Sequence, residues 1–599
     1  MEEQEPKLKC GIEIHQRLDT GKLFCRCPST LSEDEKPDLQ LTRNLRASES
    51  EMGELDRAAR LEQEKQLNFR YDAFRRNCCL VETDEEPPLP IDQEALLLVL
   101  GVAQQLNMCI VDQVHTMRKI VVDGSNTSGF QRTALIATDG SMETSQGKVG
   151  IDTIAVEEES AGIIETEKSG VKHYRLDRLG IPLIELATSP DIISGEHCKE
   201  VAEKIGMILR ATGKAARGLG TIRQDVNISI PGGARVEIKG VQDLKLIPKI
   251  VEIEVNRQKS LLALLEKLRG VQPDENPQVT DLTEIFVNTE SGLINRGLVA
   301  GQRVMGFKLP SHKGLLGTEL QPGKRYGTEL ADYAKTAGVK GIIHSDEELS
   351  KYKISSEEFT KILESLVLGD EDAFVLVVAE EGTARMALAR VKERAALREV
   401  PGETRKVNQD GTSAYMRPLP GKARMYPETD IRAIDITQTT LIDSKKQAGE
   451  GLDAKKKKLS EILNPEMAKR MLKSRHLKIF EKLVEMGVEP MLAAATLEDT
   501  LVALRREGVE IKNIETTFTE LFGHYLKGEF VKSAIIEILP AMAEGKEVPE
   551  ILEERQLHKI SGEELKKLIL EHNKNLGEIM KNYRLRVDAK EVKDLMQTL

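Results

Sequence analysis

Glu13 and His15 stand two residues apart in Gly11-Ile12-Glu13-Ile14-His15-Gln16-Arg17-Leu18. On a β-strand that spacing puts both on one face with Arg17, while Ile12, Ile14 and Leu18 take the other. Two further segments repeat the pattern. Arg223, Asp225, Asn227 and Ser229 alternate with Val226, Ile228 and Ile230, and Arg235, Glu237 and Lys239 alternate with Val236 and Ile238. Any one such strand reads equally well as the solvated face of an antiparallel sheet. The mixture of acids with His, Asn, Arg and Lys is what points to ligation of metal and phosphate. Glu157-Glu158-Glu159 follows the strand-like Ile151–Val156, and Glu185 is a lone acid in the apolar run Pro182-Leu183-Ile184-Glu185-Leu186. A buried carboxylate costs several kcal/mol unless it is paired, hydrogen-bonded or metal-bound.

One imidazole with several carboxylates is a hard, oxygen-rich donor set, suited to Mg²⁺ or Mn²⁺. Mg²⁺ in turn suggests phosphate chemistry, for which Arg178, Arg223 and Lys239 offer positive charge. The chain carries neither a Walker A sequence nor a kinase catalytic-loop signature, so bound ATP needs an unusual site. The turn-forming stretch Asp123–Arg132 reads as an anion cradle of backbone amides or as a plain hairpin turn. Cys25, Cys27, Cys78 and Cys79 offer thiolates to a zinc ion, but no second spaced pair accompanies them, so zinc is the less favoured reading. Cys10, Cys109 and Cys198 read as small buried hydrophobes.

The elements that must position these residues follow from the texture of the chain. Its 599 residues allow about three to five domains. Residues 1–279 and 399–443 alternate strands with a few helices, punctuated by Gly and Pro. Residues 280–398 form an α/β insertion, with an expected strand at Glu284–Asn288 and an expected helix over Ser355–Leu368. From 444 the chain is helical and Lys-rich, with divisions expected at 444–540 and 541–599. The fold class is α+β and multidomain: a mainly antiparallel-sheet domain, an α/β insertion and helical C-terminal domains. The apolar run Ala95–Ala103 follows Asp92, a good N-cap, and reads as a buried helix.

Net charge is −12, which argues against general nucleic-acid affinity; local basic patches must carry any such contact. Lys455–Lys458, Lys469, Arg470, Lys473, Arg475 and Lys478 make one, and Lys566, Lys567, Lys574, Lys581, Arg584 and Arg586 another. The absence of Trp and an aromatic content of 4% argue against a base-stacking reader. Seven cysteines in so long a chain are no disulfide framework. No run of about 18 apolar residues is present, and Met1–Pro6 lacks a signal-peptide core. The expected location is the cytoplasm, with no membrane contact.

Gly11–His15, Leu23–Cys27, Asp177–Glu185 and Arg235–Lys239 resemble the GatB/GatE family of tRNA-dependent amidotransferases. Asp123–Thr133 and Gly218–Asp225 resemble its archaeal GatE branch, in which an insertion similar to a domain of bacterial aspartyl-tRNA synthetases occupies the position of residues 280–398. The resemblance spans the chain, since Glu403–Arg405 and Arg424–Asp430 also match. It implies ATP-dependent phosphorylation of the glutamyl γ-carboxylate of Glu-tRNA(Gln), then displacement of phosphate by ammonia to give Gln-tRNA(Gln). By motif, His15, Glu158 and Glu185 match the family's metal ligands. Glu13 and Lys239 join them as catalytic residues, and Arg178, Arg223 and Asp225 lie in strands that would bind the nucleotide. The family's downstream Cys-x-x-Cys is missing, which counts against zinc. No asparaginase-type Thr-Gly-Gly-Thr motif or amidase stretch occurs, so the family's asparaginase-like partner, GatD, is expected to supply ammonia in a heterodimer or heterotetramer. The alternatives are a chain of the GatB type and a non-catalytic tRNA-binding adaptor.

Overall fold

The computed structural model describes residues 8–32, 35–49, 53–63, 67–167, 170–272, 278–421 and 424–599. Met1–Pro6, read above for targeting signals, lies outside them. The chain forms two compact units, divided between Gly449 and Glu450.

The first unit is built on one large sheet. Its strands run in the order Ser413–Pro418, Glu403–Val407, Val236–Val241, Ile222–Ser229, Lys9–Arg17, Pro182–Thr188, Gly147–Glu158, Phe130–Thr144, Thr116–Ile120 and Met425–Pro427. All neighbours are antiparallel except the Val236 and Glu403 strands. Its two edge strands are nearly consecutive in sequence, joined by residues 419–424. That link reaches about 25 Å at most, whereas a flat sheet of this width would hold its edges about 43 Å apart. The sheet must therefore curl into a trough. Its outer face is apolar: Ile12, Ile14, Val226, Ile228 and Ile238 are buried. Against that side pack the helices Gln93–Gln105, Gly195–Ala211 and Ile247–Lys267. Asp92 caps the first, its carboxylate accepting from the Ala95 amide at 2.9 Å. A smaller sheet, Leu39–Arg43, Phe69–Ala73, Lys172–Arg175 and Gly162–Thr166, adjoins the trough.

Residues 280–398 hold their own sheet, Thr280–Asp281, Arg303–Leu309, Ala373–Ala379 and Ile343–His344. The expected strand at Glu284–Asn288 is instead a 3₁₀ turn, Thr283–Phe286. Leu282 and Phe286 are both buried at i, i+4 spacing while Val287 is exposed, so the burial period is helical. The helix expected in Ser355–Leu368 is Ser356–Ser365, with a capping box from Ser355 and Glu358. This region shares a core with the large sheet's helix, through Leu261, Leu264 and Leu268.

A buried charge network reinforces the junction. Arg257 pairs with Glu254 at 2.9 Å and Glu403 at 2.8 Å, and also with Glu329. Arg394 reaches Glu329 at 2.8 Å and Arg405 reaches it at 3.4 Å. The Tyr333 hydroxyl donates to Glu403 at 2.5 Å. Three guanidiniums thus balance three carboxylates across four elements, two of them from the insertion. Removing one partner of such a set costs about 3–5 kcal/mol because a buried charge is left uncompensated.

The second unit is helical throughout its regular structure. One core runs from Leu459 to Leu557, and a second gathers Ile560, Leu565, Ile569, Ile579, Val587 and Val592. The two cores divide between Leu557 and Ile560 rather than at 541, because Val548, Ile551 and Leu552 pack into the first. At the other end, the helix Gln438–Ala448 packs on Gln93–Gln105 and belongs to the first unit. Among the described residues no helix is long and apolar enough to cross a membrane.

Candidate active site

The trough encloses a cavity of ≈ 900 Å³ whose wall includes Glu13, His15, Glu185, Arg223, Asp225 and Lys239. Six of the eight sequence-predicted residues are therefore brought together. Strand register explains how. His15 is paired with Glu185 on one neighbouring strand and with Arg223 on the other, and Glu13 is paired with Asp225. Side chains opposite one another on the same face of adjacent strands lie about 4.5–5.5 Å apart at Cβ. Asp225 sits at a bulge against the Lys239 strand, where its carboxylate accepts from the Gly240 amide at 3.2 Å. Bulges commonly re-aim a side chain beside a site.

The other two residues are placed elsewhere. Successive strand residues face opposite ways, so Glu157 and Glu158, both within Gly147–Glu158, point to different sides. It is Glu157 that enters the cavity. The Glu158 carboxylate accepts from the Arg132 amide at 2.8 Å and lies 3.6 Å from the Arg132 guanidinium. Arg178 donates to the backbone carbonyls of Ser160 and Ala161, at 2.9 and 2.8 Å, and does not line the cavity. Arg223 lines the wall but is held by Glu159 at 2.8 Å.

His15 Nε2 lies 3.4 Å from Glu13, 3.6 Å from Glu157 and 3.9 Å from Glu185. Ligand atoms of His15, Glu157 and Glu185 all fall within 4.8 Å of one another, as do those of Glu13, His15 and Asp225. Burial lowers the His15 pKa, which favours the neutral imidazole a metal needs. Burial and the nearby Glu185 push Glu157 up to about 8 and raise Glu13 well above the carboxylate range. So many acids in one place require a cation. Lys119 supplies one, with Nζ 2.7 Å from Glu157 and 3.4 Å from Glu185. The donor set of one imidazole and two carboxylates fits a hard divalent ion, which would share those carboxylates with Lys119. Lys239 is paired with Asp225 and, at 2.8 Å, with Glu237.

Sequence reasoning missed Glu157 and Lys119. Three consecutive glutamates hide which one shares a face with His15, and Lys119 in Met117-Arg118-Lys119-Ile120 looks like any surface lysine. The loop Asp123–Arg132 resolves as a packed connection. Its Asp123 takes the Ser125 amide at 2.9 Å, and Tyr71 and Tyr174 bond the Gly124 and Asp123 carbonyls, each at 2.8 Å. At Gly124 (φ +93) a Cβ would meet the Phe69 ring at 2.2 Å.

Of the cysteines, Cys10 and Cys198 are buried, but Cys109 is exposed on the short strand Cys109–Ile110. A two-residue strand on the margin of the sheet leaves one face in solvent. Cys25, Cys27, Cys79 and Glu82 bring one ligand atom each within 4.8 Å of one another. Cys78 is not among them; its thiol faces the Asn77 amide oxygen at 3.5 Å. Glu82 is set by Lys22 at 3.1 Å and by the Cys79 amide at 2.8 Å.

Residues 8–442 match the GatB/GatE catalytic domain, and residues 478–589 match the GatB domain. Three similar proteins are each named as the E chain of a glutamyl-tRNA(Gln) amidotransferase. That of Methanocaldococcus jannaschii is 48% identical, covering 94% of this chain and 91% of the relative. That of Pyrococcus furiosus is 49% identical over the same shares, 94% and 91%. That of Methanosarcina barkeri is 46% identical over 98% of this chain and 97% of the relative. Matches of this extent, on a chain whose sequence motifs converge in one cavity, place the protein in the GatB/GatE family.

Proposed function

We propose that this chain is the component that activates and amidates the glutamyl group of Glu-tRNA(Gln). The observation that carries the reading is the cavity's pairing of a hard-cation donor set, His15, Glu157 and Glu185, with Lys119 and Lys239. A carboxylate is a poor electrophile, and phosphorylation gives it a leaving group. The glutamyl γ-carboxylate oxygen attacks the terminal phosphorus of ATP and ADP departs. Ammonia then adds to the acyl carbon and inorganic phosphate leaves, forming the amide. Lys119 and Lys239 neutralise oxygens that gain charge in the first step. Mg²⁺ held by His15, Glu157 and Glu185 would add electrophilic charge at those oxygens. Glu13 and Asp225 hold the polar floor, with Arg223 fixed by Glu159 beside it.

The zinc reading rests on Cys25, Cys27, Cys79 and Glu82, four donors in number and reach fit for one structural ion. The domain reading is a catalytic cradle at 1–279 and 399–443, an aspartyl-tRNA-synthetase-like insertion at 280–398, and helical parts, dividing between 557 and 560 rather than at 541, that carry tRNA on their lysine-rich faces. An asparaginase-like partner of the GatD type supplies ammonia, and the enzyme works in the cytoplasm. The relatives' names support the tRNA(Gln) substrate.

The test is conversion of Glu-tRNA(Gln) to Gln-tRNA(Gln) by this chain alone, with ATP and either ammonium chloride or glutamine. Turnover with ammonium but not glutamine is expected. A folded chain that binds tRNA yet turns over neither donor would instead be the adaptor. Preference for Asp-tRNA would mark a chain of the GatB type.

A further inference from the structure

Most cations of the cavity wall are already engaged. Lys119 and Lys239, assigned above to the oxygens of the transferred phosphoryl group, also keep carboxylate partners, Glu157 for the first and Asp225 and Glu237 for the second, and Arg223 is tied to Glu159. Arg235, Arg417 and Arg424 line the same cavity, and among the described residues none of the three forms an ion pair. Two of them come from opposite margins of the sheet. Arg417 lies in the edge strand Ser413–Pro418, and Arg424 immediately precedes the other edge strand, Met425–Pro427. The curling of the trough makes them neighbours. Arg424 lies largely within the protein, where burial and then the charge of Arg417 lower its pKa. Among the described residues its Nε reaches the Ile120 carbonyl alone, at 3.5 Å. Asp56, Glu157 and Glu237 attract Arg424, and Arg417 acts on Glu237, but among the described residues none of these carboxylates lies within ion-pair reach of either guanidinium, so the like-charged pair is only partly offset and an anion between them relieves it. Their planar forks match phosphate oxygens in pairs.

Position says which phosphate. Met425 pairs with Lys119 across the last two strands, so Arg424 stands one residue beyond the partner of the lysine that bridges Glu157 and Glu185. We propose that Arg417 and Arg424, with Arg235 beside them, form the subsite for the leaving diphosphate of a nucleoside triphosphate. The inference rests on the reading that this cavity phosphorylates a carboxylate. When the carboxylate oxygen bonds to the terminal phosphorus, the bond from that phosphorus to its bridging oxygen breaks. The electron pair stays on the diphosphate, which gains negative charge there, and the arginines neutralise it.

The experiment uses the full chain, with Arg417→Ala, Arg424→Ala and the conservative Arg424→Lys, each checked by thermal melting. Calorimetric titration with magnesium ADP reads the subsite directly, and steady-state assays with ammonium chloride give KM for ATP and for Glu-tRNA(Gln). Each alanine variant is expected to lose about tenfold or more in ADP affinity. KM for ATP should rise in step and KM for the charged tRNA stay within about twofold. Arg424→Lys, which keeps the charge and loses the fork, should fall between and covers the case in which an alanine variant does not fold. Wild-type ADP affinity in folded variants overturns the proposal while leaving the function reading intact. A rise confined to the tRNA KM assigns the arginines to tRNA phosphates and also overturns it. Absence of nucleotide binding and of ATP-dependent turnover in the wild type overturns the function reading, and this proposal with it.

Discussion

His15 and Glu185 face each other directly across adjacent antiparallel strands, and Glu157 on the next strand completes their triangle at 3.6 Å from the imidazole. The neighbouring Glu158 belongs to the opposite side, bonded to Arg132. Glu157→Gln and Glu158→Gln should therefore fail in different ways. The first should weaken Mn²⁺ binding, read by electron paramagnetic resonance, about tenfold or more and abolish γ-phosphorylation. The second should lower stability by about 1–3 kcal/mol while Mn²⁺ affinity stays within about threefold. If Glu158→Gln is the one that loses the ion, the family-motif assignment of Glu158 is right and the triangle is not the metal site.

Lys119 occupies the space between Glu157 and Glu185. A cation bound there and a divalent ion share the same carboxylates, so the two oppose each other. Lys119→Met should raise Mn²⁺ affinity about tenfold while cutting phosphoryl transfer about 100-fold, since it removes charge stabilisation from the reacting oxygens. Mn²⁺ affinity that is unchanged or weaker would mean that the lysine supports the metal site.

The junction between insertion and sheet should be acid-sensitive through Glu329. Burial alone would raise its pKa, but Arg257, Arg405 and Arg394 overcome that and hold the carboxyl far below the usual range. A group whose folded pKa is depressed contributes stability that is complete above its unfolded pKa, about 4.3. That contribution is lost as pH falls towards the folded value. Glu329→Gln should cost about 3–5 kcal/mol at pH 7, and the gap from wild type should narrow between pH 5 and about pH 3. Urea melts of the full chain at several pH values read this; a gap that is constant across them excludes Glu329 as the source.

The cysteine cluster makes a prediction that separates two adjacent residues. The full chain expressed with added zinc should carry one equivalent by elemental analysis. Cys79→Ser should lose it, whereas Cys78→Ser should keep it, because only Cys79 lies with Cys25, Cys27 and Glu82. Equal loss in both, or no zinc in the wild type, would leave these residues as free thiols held by Glu82.

The sequence by itself determined which residues share a face along each strand. Period-two alternation settles that locally, so Glu13 with His15, and Asp225 with Arg223, were legible before any fold was known. The Asp92 cap, the helix within Ser355–Leu368 and the helical C-terminal quarter were legible for the same reason, since capping and burial period act within a few residues. The tertiary structure alone decided which strand lies beside which. Register between strands far apart in sequence selected Glu157 over Glu158, and it brought Lys119 to the acids from a strand that carries no motif. The same closure set Arg417 beside Arg424 from opposite edges of the sheet. The Glu13/His15 face was written in a short stretch of chain; that it became one wall of a charged cavity depended on the curl of the whole sheet.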